Sequence, residues 1–236
     1  VRFINMWIAP VCIAIVLGMY SLHWLANNNL NPIILAKSIS LVLVIGALVL
    51  VPYLWSFQSS VDGLSKTQYQ TSIIHGFVVW SPLLILSIPV IVSTFWTSHI
   101  STAWKYHLGI SFTVVSIPWM IRFLIPEANV DSEGPGMVGF AFPITILCFI
   151  STLTLLTLTT KKGVSRRITV LSFFSLSMFL ILIPELFYVG DVYGNRMNTV
   201  FKLYYPAWIL LSICGSYSVY YWLAGYIRPQ KFLKYL

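Results

Sequence analysis

Long apolar segments alternate with short polar loops along the whole chain. About seven such segments lie at roughly residues 6–25, 33–55, 72–96, 106–125, 137–160, 168–188 and 199–226. Apolar runs of about 18 residues or more indicate transmembrane helices. Their length, and the glycines and prolines inside them, favour helices over the short alternating strands of a β-barrel. The pattern predicts an all-α, polytopic transmembrane bundle, in which predicted helices 1–7 form a single domain over residues 1–236.

The composition is that of a protein lying almost wholly in a lipid bilayer. The chain is 58% hydrophobic and 8% charged, with a mean hydropathy of +0.86. We therefore expect no nucleic-acid partner. Cys12, Cys148 and Cys214 all fall inside apolar runs without metal-ligand spacing, which is typical of small hydrophobic residues in helices. Because the chain begins with Val1 and its first apolar run lacks the features of a signal peptide, we expect a piece of a longer polypeptide.

Lysine and arginine are unevenly distributed among the loops, and this predicts an orientation in the cell membrane. The formal net charge is +8. Short loops rich in these residues stay cytoplasmic, so the basic loop at 161–167 is placed inside. If the helices alternate, nine basic residues lie inside, and all six acidic residues lie outside. The N-terminus is then outside and the C-terminus cytoplasmic, and the loops around 56–71, 126–136 and 184–205 share the outer face.

The segment 184–205 is the densest charged patch in the chain. It places Glu185, Asp191, Arg196 and Lys202 within 18 residues. One hypothesis is a polar pocket at the membrane surface, in which the two basic residues hold an anionic group such as phosphate and the two acids act as a base or bind a divalent cation. The alternative is a re-entrant loop held by Glu–Lys and Asp–Arg pairs, with no ligand.

Neighbouring residues complete this candidate site. Tyr188 is predicted to share a helix face with Glu185, three residues earlier. Asn198 or Thr199 is expected to cap the N-terminus of predicted helix 7. Tyr205 shares a face with the lysine three residues before it. These residues extend the candidate substrate-binding set along the start of the last helix.

A second polar loop lies on the same predicted face. Gln58 and Ser59 carry groups that bind sugar hydroxyls, and His75 lies about one turn into predicted helix 3. The alternative is a capped turn followed by a histidine at the membrane interface. The loop is therefore either a sugar-binding wall or an ordinary interfacial loop.

Arg122 lies about one turn inside the outer end of predicted helix 4. A charge at this depth needs a partner, and the candidates are Glu127, Glu185 and Asp191. The alternative is an arginine that extends its charged head to the interface. The residue is included in the candidate binding set on the first interpretation.

Two blocks of residues resemble the YYY-domain family of membrane proteins from archaea and from bacteria such as Chloroflexi. The first runs over 184–208 and contains the specific core Arg-Met-Asn-Thr-Val-Phe-Lys at 196–202. The second covers 52–59, with Gly63 and His75 after it. The blocks stand in the family's order and span most of the chain.

The resemblance implies a role as well as an architecture. The family's many-helix architecture is similar to that of GT-C glycosyltransferases, which use a polyprenyl-phosphate sugar donor at an outer-face active site. The chain resembles the C-terminal part of such a protein, so the acidic residue that acts as catalytic base is expected upstream of it. Two positions depart from the family pattern: Pro206 stands where a glutamine is expected, and Asp62 lies in a turn that is often uncharged.

Three functions are therefore compared. The first is a glycosyltransferase-like membrane protein, or its donor-binding part, acting on a polyprenyl-phosphate sugar. The second is a non-catalytic structural or accessory subunit, with other membrane subunits or the N-terminal part of the same protein as partners. The third is a transporter, which helix prolines permit but which the lack of an internal repeat disfavours. The sequence contains no phosphate loop, dinucleotide fingerprint, nucleophile elbow, zinc motif or haem motif.

Overall fold

The computed structural model describes most of the chain from residue 63 onwards. The described ranges are 63–67, 69–97, 104–125, 139–159, 166–190 and 196–224, with scattered helical positions between 13 and 48. Predicted helices 1 and 2 fall mostly outside these residues, and Gln58, Ser59 and Asp191 lie outside them. From residue 63 onwards the described ranges contain two short strands and five long helices. They are β1 (Gly63–Lys66), α1 (Ile73–Thr97), α2 (Trp104–Leu124), α3 (Ala141–Thr159), α4 (Arg166–Leu186), β2 (Phe187–Gly190) and α5 (Met197–Leu223).

The five helices correspond to predicted helices 3–7, and their ends differ from the predicted ends by about four residues or fewer. One end was wrong in a way that matters. Predicted helix 6 ran through Tyr188, but α4 ends at Leu186 and Tyr188 lies on β2. Glu185 and Tyr188 therefore do not share a helix face.

Four of the described helices are long and apolar enough to cross a membrane. These spans are Ile73–Thr94, Trp104–Leu124, Ala141–Leu158 and Arg166–Leu186. The remaining helix, α5, is longer than any of them but is not among these four, and five tyrosines make its composition more polar. The described part of the chain thus accounts for four of the seven predicted spans.

The helices run alternately up and down, and α4 is at the centre. It packs between α3 and α5, while α1 packs on α5 and α2 packs on α3. The core is centred on fully buried side chains of α4, such as Met178, Ile181 and Leu182. The outer surfaces of α1 and α2 are rich in exposed large apolar residues, as is expected of helices that face lipid.

The two strands lie together at one end of the bundle, which we call the sheet end. They pair antiparallel from Gly63 opposite Gly190 to Lys66 opposite Phe187. Gly63 has a φ of 112°, a backbone conformation that favours glycine. The N–H of Thr67 continues the pairing to the carbonyl of Leu186 (3.1 Å). The sheet therefore holds the residues before α1 against the end of α4.

Small residues allow α1 and α5 to pack closely near a helix proline. The N–H of Val90, next to Pro89, donates to Ser218 Oγ on α5 (3.2 Å). A methyl group at Gly215 of α5 would lie 3.1 Å from the side chain of Leu86. The bond from Val90 ties the backbone of α1, next to Pro89, to a side chain of α5.

Candidate functional site

A buried carboxylate lies at the sheet end of the bundle. Glu185, in the last turn of α4, is 0% exposed. Its Oε2 accepts from the N–H of Thr71 (2.8 Å), and its Oε1 accepts from the Thr71 hydroxyl (2.6 Å) and the Tyr204 hydroxyl (2.7 Å). Arg196 Nη1 completes the set with an ion pair to Oε1 at 3.0 Å. We call these four residues the Glu185 network.

The network joins three separate parts of the chain. Thr71 precedes α1, Glu185 ends α4, and Arg196 and Tyr204 belong to the start of α5. A charge removed from water is tolerated only when it is paired and hydrogen-bonded. Glu185 meets that condition with four donor contacts, so its burial requires the ends of α1, α4 and α5 to lie together.

Arg196 has a buried side and an exposed side. It is the N-cap residue of α5, and its guanidinium also donates to Thr71 Oγ1 (2.9 Å) and weakly to the Pro184 carbonyl (3.4 Å). The side chain remains 23% exposed, whereas Glu185 is fully buried. A guanidinium carries five N–H donors in a rigid plane. The network therefore fixes the plane of Arg196 while leaving part of the side chain accessible.

Aromatic rings pack behind the network along α1 and α5. The ring of Trp80 lies edge-to-face against Tyr204, with 4.9 Å between centroids, and against Trp208 at 6.1 Å. Trp80 is almost fully buried. Such edge-to-face pairs contribute beyond their buried area. They hold the Tyr204 ring, and hence its hydroxyl, in position to donate to Glu185.

The free carbonyls at the end of α4 also have donors. Pro184 O accepts from the hydroxyl of Thr67 (3.0 Å). Arg122 Nη1, near the end of α2, donates to Thr67 O (3.1 Å) and to Leu186 O. The last four carbonyls of a helix have no partner within the helix. Arg122 thus lies at the sheet end and donates to backbone carbonyls, while two of its candidate partners, Glu127 and Asp191, lie outside the described residues.

These features belong to a protein whose residues 1–211 match a known family, described as “Uncharacterized membrane protein (DUF2298)”. The chain belongs to this family. The matched region includes all four residues of the Glu185 network and the four apolar spans. No curated protein and no solved structure matches the chain. Membership and the four spans together make this an integral membrane protein in a lipid bilayer.

In this family member, α5 separates two groups of predicted site residues. Lys202 and Tyr204 project from α5 about 160° apart, at 100° per residue. Lys202 is half-buried and lies on the side of Asn198 and Tyr205, of which Tyr205 is 65% exposed. The structure brings Arg196 to the Glu185 network and places these three residues on another face.

His75 lies apart from the network. It is exposed in the first turn of α1, near the sheet end. Tyr188 is half-buried on β2, opposite Ser65. Both residues therefore lie at the sheet end of the bundle.

The predicted cap of α5 was wrong. Arg196 is the N-cap residue, and no side chain makes a capping hydrogen bond there. Thr199, in the first turn of α5, instead accepts from the N–H of Val189 (3.0 Å). This bond links β2 to α5, so the Thr199 hydroxyl binds the strand and does not cap the helix. Asn198 is the second residue of α5, after the N-cap position.

Sequence reasoning missed Thr71 and Tyr204. Thr71 stands 114 residues before Glu185, and no spacing rule connects the two. Tyr204 lay inside the segment 184–205, but four tyrosines occur there, and only the fold determines which of them reaches the carboxylate. Within the described residues, no group of three or more His, Cys, Asp or Glu side chains could hold a metal ion.

Proposed function

We propose that the chain is the donor-binding part of a membrane glycosyltransferase-like protein that uses a polyprenyl-phosphate-linked sugar at the extracytoplasmic face. This proposal rests on the position of Arg196, whose side chain is bound to Glu185 on its buried side and accessible on the other. A guanidinium held in a fixed plane suits the oxygens of a phosphate. The similarity to YYY-domain proteins and GT-C enzymes supplies the donor class.

The proposal includes a full topology. It assigns seven transmembrane helices to one domain of a longer protein. In this topology the sheet end and the N-terminus lie outside, and the C-terminus lies in the cytoplasm. The alternation of α1–α5 supports this arrangement. Lys105, Arg166 and Arg167 all lie at the opposite end of the described helices, which suits a cytoplasmic side. The Glu185 network then lies near the outer surface of the bilayer.

Within this site, Arg196 contacts the donor phosphate first. Lys202, with Asn198 and Tyr205, forms a second contact region around α5. The loop with Gln58 and Ser59 lines the sugar side. His75, Tyr188 and Arg122 complete the proposed binding set at the same end of the bundle.

Glu185 is best suited to orienting Arg196. Both of its oxygens already accept hydrogen bonds, so it has little capacity left to act as a general base. We therefore place the acidic residue that acts as catalytic base upstream of this chain, in keeping with the GT-C likeness. Asp191 is the remaining candidate in this segment for a divalent cation.

The proposal is tested by sugar transfer from polyprenyl-phosphate donor to an outer-face acceptor, with the whole protein in membrane vesicles. We expect Arg196→Ala and Lys202→Ala to abolish transfer while the protein stays folded. Arg196→Lys keeps the charge but loses the planar fork, so it should retain a small part of the activity. Transfer at the wild-type rate by both alanine variants would contradict the assignment.

A second function is favoured by the saturation of Glu185. A carboxylate engaged by four donor contacts suits a structural subunit whose polar network only joins helix ends. In that case the protein should copurify in a stoichiometric complex with other membrane proteins. It would show no polyprenyl-phosphate binding, and loss of Arg196 would reduce stability without affecting any transfer reaction.

A further inference from the structure

Two buried polar side chains on α2 have no hydrogen-bond partner, which sets them apart from the other described residues. They are His107, through Nδ1, and Ser111, through Oγ. His107 is 5% exposed and Ser111 is 0% exposed. They are four residues apart and so lie on one face of the helix. Buried polar atoms without partners are rare and call for a physical explanation.

Nearby hydroxyls show that partners are readily found in this bundle. Thr113, on the same helix, donates to the carbonyl four residues earlier (2.9 Å), a bond also available to Ser111. On α3, Thr154 makes the same kind of bond, and Thr152 pairs with Ser175 of α4. Leaving Ser111 and His107 unpaired costs free energy, and no water is at hand inside the hydrocarbon region to offset it.

The unpaired atoms lie toward the end of the bundle opposite the sheet end. His107 and Ser111 are about 5 and 10 Å from the start of α2, at 1.5 Å per residue. The indole N–H of Trp119 donates to Thr145 Oγ1 of α3 (3.1 Å), which fixes the alignment of the two helices. Ser111 is therefore about level with Thr152 of α3, and only a short distance separates it from water beyond Trp104.

The two halves of α2 are held differently. At the sheet end, Arg122 and Trp119 bond to neighbouring elements. Between Trp104 and Val115, no side chain of α2 hydrogen-bonds to another described element. Pro118 lies between the halves and removes one backbone hydrogen bond from the helix. A helix bends most readily at such a proline.

We propose that the first half of α2 swings about Pro118 and opens a water-filled crevice that hydrates His107 and Ser111. The structure is the closed state, in which both polar groups are dry and unpaired. The open state gives them water as a partner, and this offsets the packing lost against α3. The crevice opens at the end of the bundle that carries Lys105, so it is distinct from the Glu185 network.

Cysteine accessibility in the full-length protein tests this crevice. Ser111→Cys is treated in native membranes with a charged, membrane-impermeant methanethiosulfonate, added on the side from which Lys105→Cys reacts. Thr113→Cys, exposed on another face of α2, is the matched control, because hydrocarbon excludes the charged reagent. We expect Ser111→Cys to react roughly tenfold faster than Thr113→Cys, since the rate follows the open population.

A second variant tests the hinge. Pro118→Ala restores the missing backbone donor, so it should slow the labelling of Ser111→Cys by about fivefold or more if it depopulates the open state. Labelling of Ser111→Cys no faster than that of Thr113→Cys would overturn the crevice. Fast labelling that Pro118→Ala leaves unchanged would overturn the hinge. Size-exclusion profiles identify any variant that fails to fold.

Discussion

Removing the Glu185 carboxylate should markedly destabilise the sheet end of the bundle. In Glu185→Ala, the N–H of Thr71, two hydroxyls and the Arg196 guanidinium lose their common acceptor. Breaking a buried ion pair from one side typically costs about 3–5 kcal/mol. Because Arg196 is 23% exposed, water recovers part of its loss. We therefore expect a cost of about 3 kcal/mol, at the lower end of that range.

Two milder variants should lose less stability than Glu185→Ala. Tyr204→Phe removes one hydrogen bond to a charged group and leaves Glu185 three donor contacts, so it should cost about 1.5 kcal/mol. Glu185→Gln keeps the shape and one acceptor oxygen but loses the charge that pairs with Arg196. It should fall between the other two, at about 2 kcal/mol.

The assay is reversible unfolding in mixed micelles, followed by tryptophan fluorescence. Near-ultraviolet circular dichroism adds a local signal, because Trp80 packs directly on the Tyr204 ring. The expected order of destabilisation is Glu185→Ala, then Glu185→Gln, then Tyr204→Phe. A Glu185→Ala protein within about 0.5 kcal/mol of wild type, the range of ordinary surface substitutions, would refute the structural role of the network.

Two further pairs of variants test helix packing. A Cβ at Gly76 would clash with the Phe140 ring, so Gly76→Ala should destabilise the protein by about 1–3 kcal/mol. A Cβ at Gly109 would meet nothing within 4 Å, so Gly109→Ala should be neutral or slightly stabilising in the same unfolding assay. Ser218→Ala removes the acceptor for a buried N–H of α1 and should cost about 1 kcal/mol. The exposed hydroxyl of Ser216 bonds only within α5, so Ser216→Ala should cost less than half as much. Equal effects within either pair would contradict the packing described.

The helices could be predicted because their signal is local. Runs of about 20 apolar residues leave few options in a bilayer, and α1–α5 appeared close to their predicted bounds. The strands could not be predicted in this way. Gly63–Lys66 has no apolar alternation, and it becomes a strand only because Phe187–Gly190 lies beside it. The end of α4 was misplaced for the same reason, since β2 takes the residues that an isolated pattern assigns to the helix.

That Glu185 has partners could be predicted, but which residues those partners are could not. A carboxylate at membrane depth must have partners, and this correctly drew attention to Glu185. The alternative of a re-entrant loop that binds no ligand predicted a Glu–Lys pair, whereas the structure pairs Glu185 with Arg196. Lys202 lies on another face of α5. Thr71 was beyond prediction because its contact depends on how α1 docks against α4, which is a property of the whole bundle.

Binding of polyprenyl phosphate to the purified whole protein tests the central claim most directly. Native mass spectrometry compares polyprenyl phosphate with polyprenol of the same length. We expect the phosphate to bind in preference, and Arg196→Gln to weaken that binding about tenfold, the loss of roughly one charge-assisted contact. Tyr204→Phe removes one hydrogen bond from the same network but keeps the guanidinium, so this variant should still bind polyprenyl phosphate. Equal binding of phosphate and alcohol, or unchanged binding by Arg196→Gln, would contradict Arg196 as the phosphate contact.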